Sequence, residues 1–259
     1  MGQINLRKMT AHFKFGKAPA KRDERNLKFT AILRAPVAVP KEYDFDVQHH
    51  GVPTPMFGND QFGDCVMAGR AHQTLRFELV EQGKVLQISD KDVTKEYFKE
   101  TGGGDDGRVV LDSLKEWRAQ GWSVGRRRYK IKAFSQIDQT SHEEVKQAVY
   151  MDVGVGLGFE LPNAAMPQFH AGKPWDVVPG RDGKPNRKNG HYVYVSGYTK
   201  DGPVCVTWGR KQPMTWVFLD KYCDEAYAII DDVNTTKKKR GLDAKKLNAF
   251  LDSLKKKRK

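Results

Sequence analysis

Several features that define large protein classes are missing from this sequence of 259 residues. It contains only three cysteines, Cys65, Cys205 and Cys223, and this low, odd number argues against a scaffold held by disulfides. No run of about 18 apolar residues occurs, so no membrane-spanning helix is predicted. Residues 1–28 are polar and basic, without the apolar segment of a secretory signal peptide. We therefore expect free thiols and a cytoplasmic location.

Signals for a bound cofactor or metal are equally sparse. The neighbouring His49 and His50 have no Cys, His or Asp at the spacing of a metal site. Residues 102–104 are glycines, but no Lys-Ser or Lys-Thr pair follows them, as a phosphate-binding loop requires. We expect no cofactor and no metal.

The positive charge is concentrated at the two ends of the chain. The formal net charge is +13. Residues 1–36 contain nine Lys or Arg against two Asp or Glu, and residues 237–259 contain eleven against two. The sequence between them holds 25 basic and 28 acidic residues. A nearly neutral body argues against a broad nucleic-acid groove and favours a globular domain with basic arms.

We accordingly divide the chain into a basic, extended N-terminal arm at residues 1–40, a domain at 41–236 and a basic C-terminal tail at 237–259. A short amphipathic helix is predicted in the tail, because its apolar residues approach helical spacing: Leu242, Leu247, Phe250, Leu251 and Leu254. The arms are suited to an acidic partner, to nucleic acid or to an anionic membrane surface. They are equally consistent with solvated tails that keep the protein soluble.

The spacing of apolar residues changes along the domain. Helical spacing with capping residues, including Asp64 as the first cap, predicts helices at residues 65–82, 89–100, 110–120 and 141–151. Apolar segments separated by turn residues predict strands at residues 153–159, 191–198, 204–208, 215–219 and 225–230. Helices followed by antiparallel strands indicate an α+β fold with two lobes. The Pro- and Gly-rich loop at residues 161–189 is expected to line the cleft between them.

Cys65 and His191 are the pair with the clearest chemistry. Cys65 begins the first predicted helix, where the helix dipole favours a thiolate and free backbone N–H groups can bind an oxyanion. His191 begins a strand and can meet the thiol from the other lobe as a base. Taken alone, each side chain would more often be an ordinary core residue, so the surrounding sequence decides.

The residues around both positions resemble the papain-like cysteine peptidases. In that family a Gln lies six residues before the catalytic Cys and a Gly lies two before it. Here residues 59–65 read Asn-Asp-Gln-Phe-Gly-Asp-Cys, so Gly63 matches and Asn59 occupies the amide position. The family's His precedes apolar residues and Gly-Tyr, and residues 191–198 read His-Tyr-Val-Tyr-Val-Ser-Gly-Tyr. Its Asn-Ser-Trp-Gly corresponds to Val-Thr-Trp-Gly at residues 206–209.

The resemblance implies a papain-like two-lobe fold, with the Cys on a helical lobe and the His on an antiparallel β lobe. It also implies an oxyanion site made by Asn59, or by Gln61 if the loop folds differently. The family's Asn that orients the imidazole is absent. Thr207 or Val206 stands there, depending on a one-residue shift of the alignment, and only the Thr hydroxyl could accept from the ring. Trp208 would shield that contact.

These features predict a cysteine hydrolase, a peptidase or amidase acting on a peptide or protein, with Cys65 as nucleophile and His191 as base. The alternative is a papain-fold structural or binding protein with weak or no activity, tethered by its basic arms to an acidic partner or nucleic acid. The segments at residues 117–121 and 224–227 are also similar to papain-like proteins of bacteriophages and bacteria. That narrower resemblance implies a virion-associated role.

Overall fold

The computed structural model describes residues 13–151, 154–231 and 241–256, so parts of both predicted arms lie outside the described residues. The α-helices are α1 (Phe45–Gln48), α2 (Cys65–Gln82), α3 (Asp90–Thr101), α4 (Val110–Ala119), α5 (His142–Tyr150), α6 (Ala165–His170), α7 (Trp216–Tyr222) and α8 (Ala244–Lys256). The strands are β1 (Tyr43–Asp44), β2 (Trp122–Val124), β3 (Arg127–Tyr129), β4 (Ala133–Gln136), β5 (Gly154–Glu160), β6 (Gly190–Tyr198), β7 (Pro203–Thr207), β8 (Arg210–Pro213) and β9 (Cys223–Ile230). None of the described helices is long and apolar enough to cross a membrane.

Helix α2 lies at the centre of the helical part of the fold. It begins at Cys65 and ends where Gly83 adopts a left-handed φ of 65°, as the sequence predicts. All residues from 65 to 78 are buried, polar ones included. Several of the polar side chains are paired there, as when Arg70 contacts Glu100 at 2.7 Å. The helix is therefore enclosed on every side, and its first residue lies inside the protein.

The predicted cap of α2 is wrong in its chemistry. Asp64 does precede the helix, but its side chain makes no capping hydrogen bond. Burial raises the pKa of this carboxyl to about 8, so it is largely protonated at neutral pH. The prediction of Asp64 as the cap residue is thus confirmed in position, but its enclosed, neutral carboxyl does not cap the helix.

The second half of the chain forms an antiparallel sheet that separates two cores. Its seven strands run in the order β4-β9-β5-β6-β7-β8, and β1 pairs with β6. In β9, Tyr227 and Ile229 face the core under helices α2 to α4, whereas Ala226 and Ala228 face the other core. This alternation follows from the two-residue period of a strand. The α+β architecture is confirmed, with the helices α2 to α4 on one side.

The strand predicted at residues 215–219 is wrong, because this segment belongs to helix α7. Thr215 caps the helix by accepting a hydrogen bond from the backbone N–H of Phe218. The buried residues Phe218, Leu219 and Tyr222 share one helical face. A short apolar run rich in aromatic and β-branched residues has the same composition in a strand and in a buried helix.

The segment that follows residue 240 packs onto the domain. Leu242 and Leu247 are buried in the same core as Ile32 and Leu33. The backbone N–H of Asp243 donates to the carbonyl of Ile32, at 2.6 Å. Helix α8 thus lies against residues 30–33, and its Lys245, Lys246 and Lys255 are exposed.

Candidate active site

Cys65 lies at the first residue of α2, where the positive end of the helix dipole meets the sheet. Its side chain is buried. Burial raises the pKa of the thiol to about 12, and the nearby backbone of Tyr192 and Gly16 lowers it by less. In this enclosed state the thiol is neutral.

His191 lies at the beginning of β6, opposite Phe159 of β5. Its ring is fully buried, and burial lowers its pKa to about 3. The Nε2 atom lies 2.7 Å from the Thr207 hydroxyl oxygen. The Nδ1 atom has no hydrogen-bond partner. If Nε2–H donates to Thr207, Nδ1 keeps the lone pair that a general base needs.

The structure places His191 and Thr207 in contact, and Cys65 near the backbone of Tyr192, the residue that directly follows His191. Of the two residues that the sequence left open as the imidazole partner, Thr207 rather than Val206 contacts the ring. Nδ1 is the ring nitrogen without a hydrogen-bond partner, the Cys65 thiol included.

Trp208 covers the imidazole. Its indole ring stacks on His191 with centroids 4.0 Å apart and an interplanar angle of 17°. Trp208 and Gly209 form the two-residue turn between β7 and β8, and both have positive φ, 43° and 77°. A tryptophan in this region is strained, so the packing of its ring on His191 must hold it there.

The two candidate oxyanion donors lie in different environments. Asn59 is buried, and its side-chain amide donates to the carbonyl oxygens of Phe62 at 3.1 Å and Lys14 at 3.4 Å. Gln61 is exposed in the same turn. The Asn59 amide therefore already holds a carbonyl oxygen of a chain that lies in the cleft, whereas Gln61 faces solvent.

That chain is the protein's own residues 13–18, which we call the strap. The N–H groups of Gly16 and Lys17 donate to the carbonyl of Gly190, at 3.1 and 2.9 Å. On the opposite side, Arg108 donates to Gly16 at 2.7 Å and accepts from Ala18 at 3.0 Å. Gly190 begins β6, the strand that contains His191, and Arg108 precedes α4, so the strap is hydrogen-bonded to both sides of the cleft.

Side chains of the strap complete the cover. Phe13 stacks on Trp208, with centroids 5.4 Å apart, and Phe15 meets the His191 ring edge-on at 6.0 Å. Phe169 packs edge-on against Phe13. It belongs to helix α6, so the segment predicted as a loop at residues 161–189 is partly helical. Gly16 has no space for a side chain, because a Cβ there would lie 1.6 Å from the carbonyl oxygen of Gly63. The strap therefore fits the cleft tightly and excludes water from it.

Sequence reasoning treated residues 1–40 as an extended arm and did not place any of them in the site. It also gave no role to Asp224 and Glu225, which hold the buried ammonium of Lys17 at 2.8 and 3.4 Å. The sequence does contain one indication of this contact. Gly16, between Phe15 and Lys17, allows the chain to pass close to another backbone, and the adjacent acids Asp224 and Glu225 can pair with a lysine.

No protein-family model matches the chain, and no curated protein matches it in sequence. Solved structures do match it in fold. Xylellain, a cysteine protease from Xylella fastidiosa, matches with a TM-score of 0.66 and 16% identity, over 85% of this chain and 97% of that one. Digestive procathepsin L2 proteinase from Tenebrio molitor matches with a TM-score of 0.61 and 13% identity, over 88% and 81%.

A third structure, proCathepsin B S9 from Trypanosoma congolense, matches with a TM-score of 0.57 and 14% identity, over 84% of this chain and 86% of that one. Identities this low establish the fold alone. The papain-like fold implied by the sequence motifs is confirmed. These neighbours lend no support to the expected link with bacteriophages.

Proposed function

We propose that this chain of papain-like fold is a cysteine peptidase or amidase with Cys65 as its nucleophile and His191 as its base. The observation that carries the proposal is the state of the imidazole. Its Nε2 lies 2.7 Å from the Thr207 hydroxyl, and its Nδ1 is buried without a hydrogen-bond partner. Cys65, at the N-terminus of α2, lies near the backbone of the next residue, Tyr192. A histidine held by one nitrogen and free at the other is arranged to take a proton.

The reaction follows from these positions. Nδ1 takes the thiol proton, and the thiolate attacks the carbonyl carbon of the substrate, whose C=O electron pair moves to oxygen. The backbone N–H of Cys65 and the amide of Asn59 stabilise this oxyanion. When the C–N bond breaks, the imidazolium gives its proton to the leaving amine. Water, deprotonated by His191, then hydrolyses the thioester and returns the thiol.

The arrangement described above is a covered form of this site. The strap occupies the place of a substrate: Gly16 packs against the backbone of Gly63, two residues before Cys65, and its N–H donates to the carbonyl of Gly190. Both catalytic groups are neutral there, because burial raises the pKa of the thiol and lowers that of the imidazole. Activity therefore requires that the strap leaves the cleft, so that water and substrate can enter.

The test is the rate of Cys65 alkylation by iodoacetamide between pH 4 and 10, read by mass spectrometry. Gly16→Ala opens the cleft, because its Cβ has no space. Gly104→Ala is the matched control, since the atom nearest its Cβ belongs to the flexible Asp106 carboxylate. We expect slow reaction in the native and control proteins, and fast reaction that persists below pH 7 in Gly16→Ala.

Adding His191→Gln to Gly16→Ala should return Cys65 to the profile of an ordinary thiol, with a pKa near ~8.5. If the opened protein already shows that ordinary profile with His191 present, no thiolate–imidazolium pair exists and the hydrolase proposal fails.

A papain-fold binding protein is the second candidate, and the closed cleft is the observation that favours it. In that case the strap is a permanent part of the core, and the basic ends attach the domain to an acidic partner. Gly16→Ala would then lower stability without producing a reactive thiol. Association with a polyanion such as heparin would weaken steeply with added salt.

A further inference from the structure

The strap carries a buried cation, Lys17, directly after Gly16, the residue that lies close to Cys65. The Lys17 side chain is 1% exposed, and its ammonium lies 2.8 Å from Asp224 and 3.4 Å from Glu225. Burial by itself would lower the pKa of Lys17, but the two carboxylates outweigh it and raise the pKa. Lys17 is therefore charged and held in a closed, acidic pocket.

The walls of this pocket belong to the sheet and not to the strap. Asp224 and Glu225 begin β9, and Gly158 of the neighbouring β5 lies opposite Glu225. A Cβ on Gly158 would lie 2.5 Å from Cε of Lys17 and 2.6 Å from Cγ of Glu225. Because Gly158 has no side chain, the Lys17 side chain can pass over it to reach Asp224 and Glu225.

The pocket would remain when the strap leaves. Its carboxylates are 25% and 5% exposed and lie on paired strands. Burial raises the pKa of Glu225 to about 7 even beside Lys17, so without the lysine this carboxyl would hold a proton, which a new cation in the pocket would displace. A cavity of about 240 Å³ adjoins the two carboxylates, lined by Gln136 and Tyr227 of the sheet and by residues 20–28 of the segment that follows the strap, so it has room for a side chain longer than lysine.

The acidic pocket lies close to the proposed nucleophile, Cys65, along the path of the strap. Gly16 packs against the backbone of Gly63, two residues before Cys65, and Lys17 is the immediate neighbour of Gly16. A peptide that replaced the strap in the cleft would place one side chain in the acidic pocket, at the position of Lys17. The neighbouring residue would take the position of Gly16, close to Cys65. Structural ion pairs elsewhere in the domain, such as Arg70–Glu100, connect elements that stay together, whereas this one connects the domain to the segment that must leave.

We propose that the pocket of Gly158, Asp224 and Glu225 selects substrates with a lysine or arginine side chain, and that Lys17 occupies it in the covered form. This inference rests on the proposed function, since it names the substrate class of that site. Apolar and acidic side chains would leave the carboxylates unpaired and would be rejected.

The test uses the full chain with Gly16→Ala and Lys17→Ala, so that its own lysine no longer competes. The substrates are fluorogenic peptides in which each position near the scissile bond is occupied in turn by Lys, Arg, Leu or Glu. We expect Lys and Arg, at one position, to raise kcat/KM by about 100-fold over Leu, the effect of a buried charge pair. Glu225→Gln and the milder Asp224→Asn should reduce that preference, while Glu42→Gln, an exposed control, should not.

A binding measurement keeps this inference separate from the proposed function. The labelled peptide of residues 13–21, FKFGKAPAK, is titrated into the same variant with Cys65→Ala, and compared with the peptide that has Leu for Lys17. At least ~10-fold tighter binding of the lysine peptide, lost in Glu225→Gln, supports the pocket even if nothing is cleaved, and the proposed function alone then fails. Equal binding of both peptides, or cleavage with no preference for a basic residue, overturns the pocket.

Discussion

The ring of Trp208 lies on the ring of His191, and it is held there by a backbone conformation that tryptophan rarely adopts. The centroids are 4.0 Å apart, and the φ of Trp208 is 43°. A left-handed non-glycine residue of this kind costs about 1–3 kcal/mol. The stacking and the burial of the indole offset that strain, and in return the imidazole is shielded from water on one face.

Replacing Trp208 separates the strain from the packing. Loss of a buried tryptophan lowers the free energy of unfolding by about 3–5 kcal/mol. Because the backbone here has positive φ, Trp208→Gly should be less destabilising than Trp208→Ala, by about 1 kcal/mol. Urea unfolding of both variants measures the difference. Equal stability would mean that the turn relaxes and that no strain is stored at this position.

The contact between Thr207 and His191 should set the orientation of the imidazole. In the opened protein, Thr207→Val leaves Nε2 without a partner, and we expect kcat to fall by about 100-fold while KM changes little. Thr207→Ser keeps the hydroxyl and should retain most of the activity. The same variants can be compared by the low-pH reactivity of Cys65. A valine variant as active as the serine variant would exclude a positioning role for Thr207.

Lys17 should hold the strap in the cleft. Lys17→Met leaves Asp224 and Glu225 unpaired, whereas Lys17→Arg preserves the charge. We therefore expect faster amide hydrogen exchange in the methionine variant at Gly16 and Arg108, the residues hydrogen-bonded across the cleft.

Mass spectrometry of peptides from this region measures that exchange, and helix α8 is the internal reference, because it lies outside the cleft. Unchanged exchange in Lys17→Met would show that the backbone hydrogen bonds alone retain the strap.

The buried His191 should make the protein sensitive to acid. Its pKa is lowered to about 3 in the folded protein, from an ordinary value of 6.5. The folded state therefore binds fewer protons than the unfolded state between these two values. The stability from this residue is complete above pH 6.5 and is lost as the pH falls towards 3, in total about 5 kcal/mol.

His191→Gln removes this proton linkage, so its free energy of unfolding should fall less steeply with acid than that of the native protein. Denaturant unfolding at pH 4 to 7 gives both slopes. Parallel slopes would mean that His191 titrates normally in the folded chain.

Much of the fold could be predicted from local signals. The glycine after α2 and the Ser89 capping box of α3 fixed these helices to within a residue or two, because caps act within one turn. The strands containing His191 and Thr207 were predicted for the same reason, since turn residues bound them. The strand predicted at residues 215–219 was wrong because a short apolar run does not distinguish a strand from a buried helix.

The sequence by itself determined the α+β division, the position of Cys65 at a helix start and the pairing of motifs around Cys65 and His191. These depend on spacing and capping among close neighbours. Only the tertiary structure decided that Asp64 is buried and neutral, that Thr207 contacts the imidazole, and that the strap fills the cleft. Lys17 and Asp224 are separated by 207 residues, and no local preference of either one favours the other. Such contacts follow from the packing of the whole chain, because burial and pairing energies between distant residues exist only after the cleft has formed.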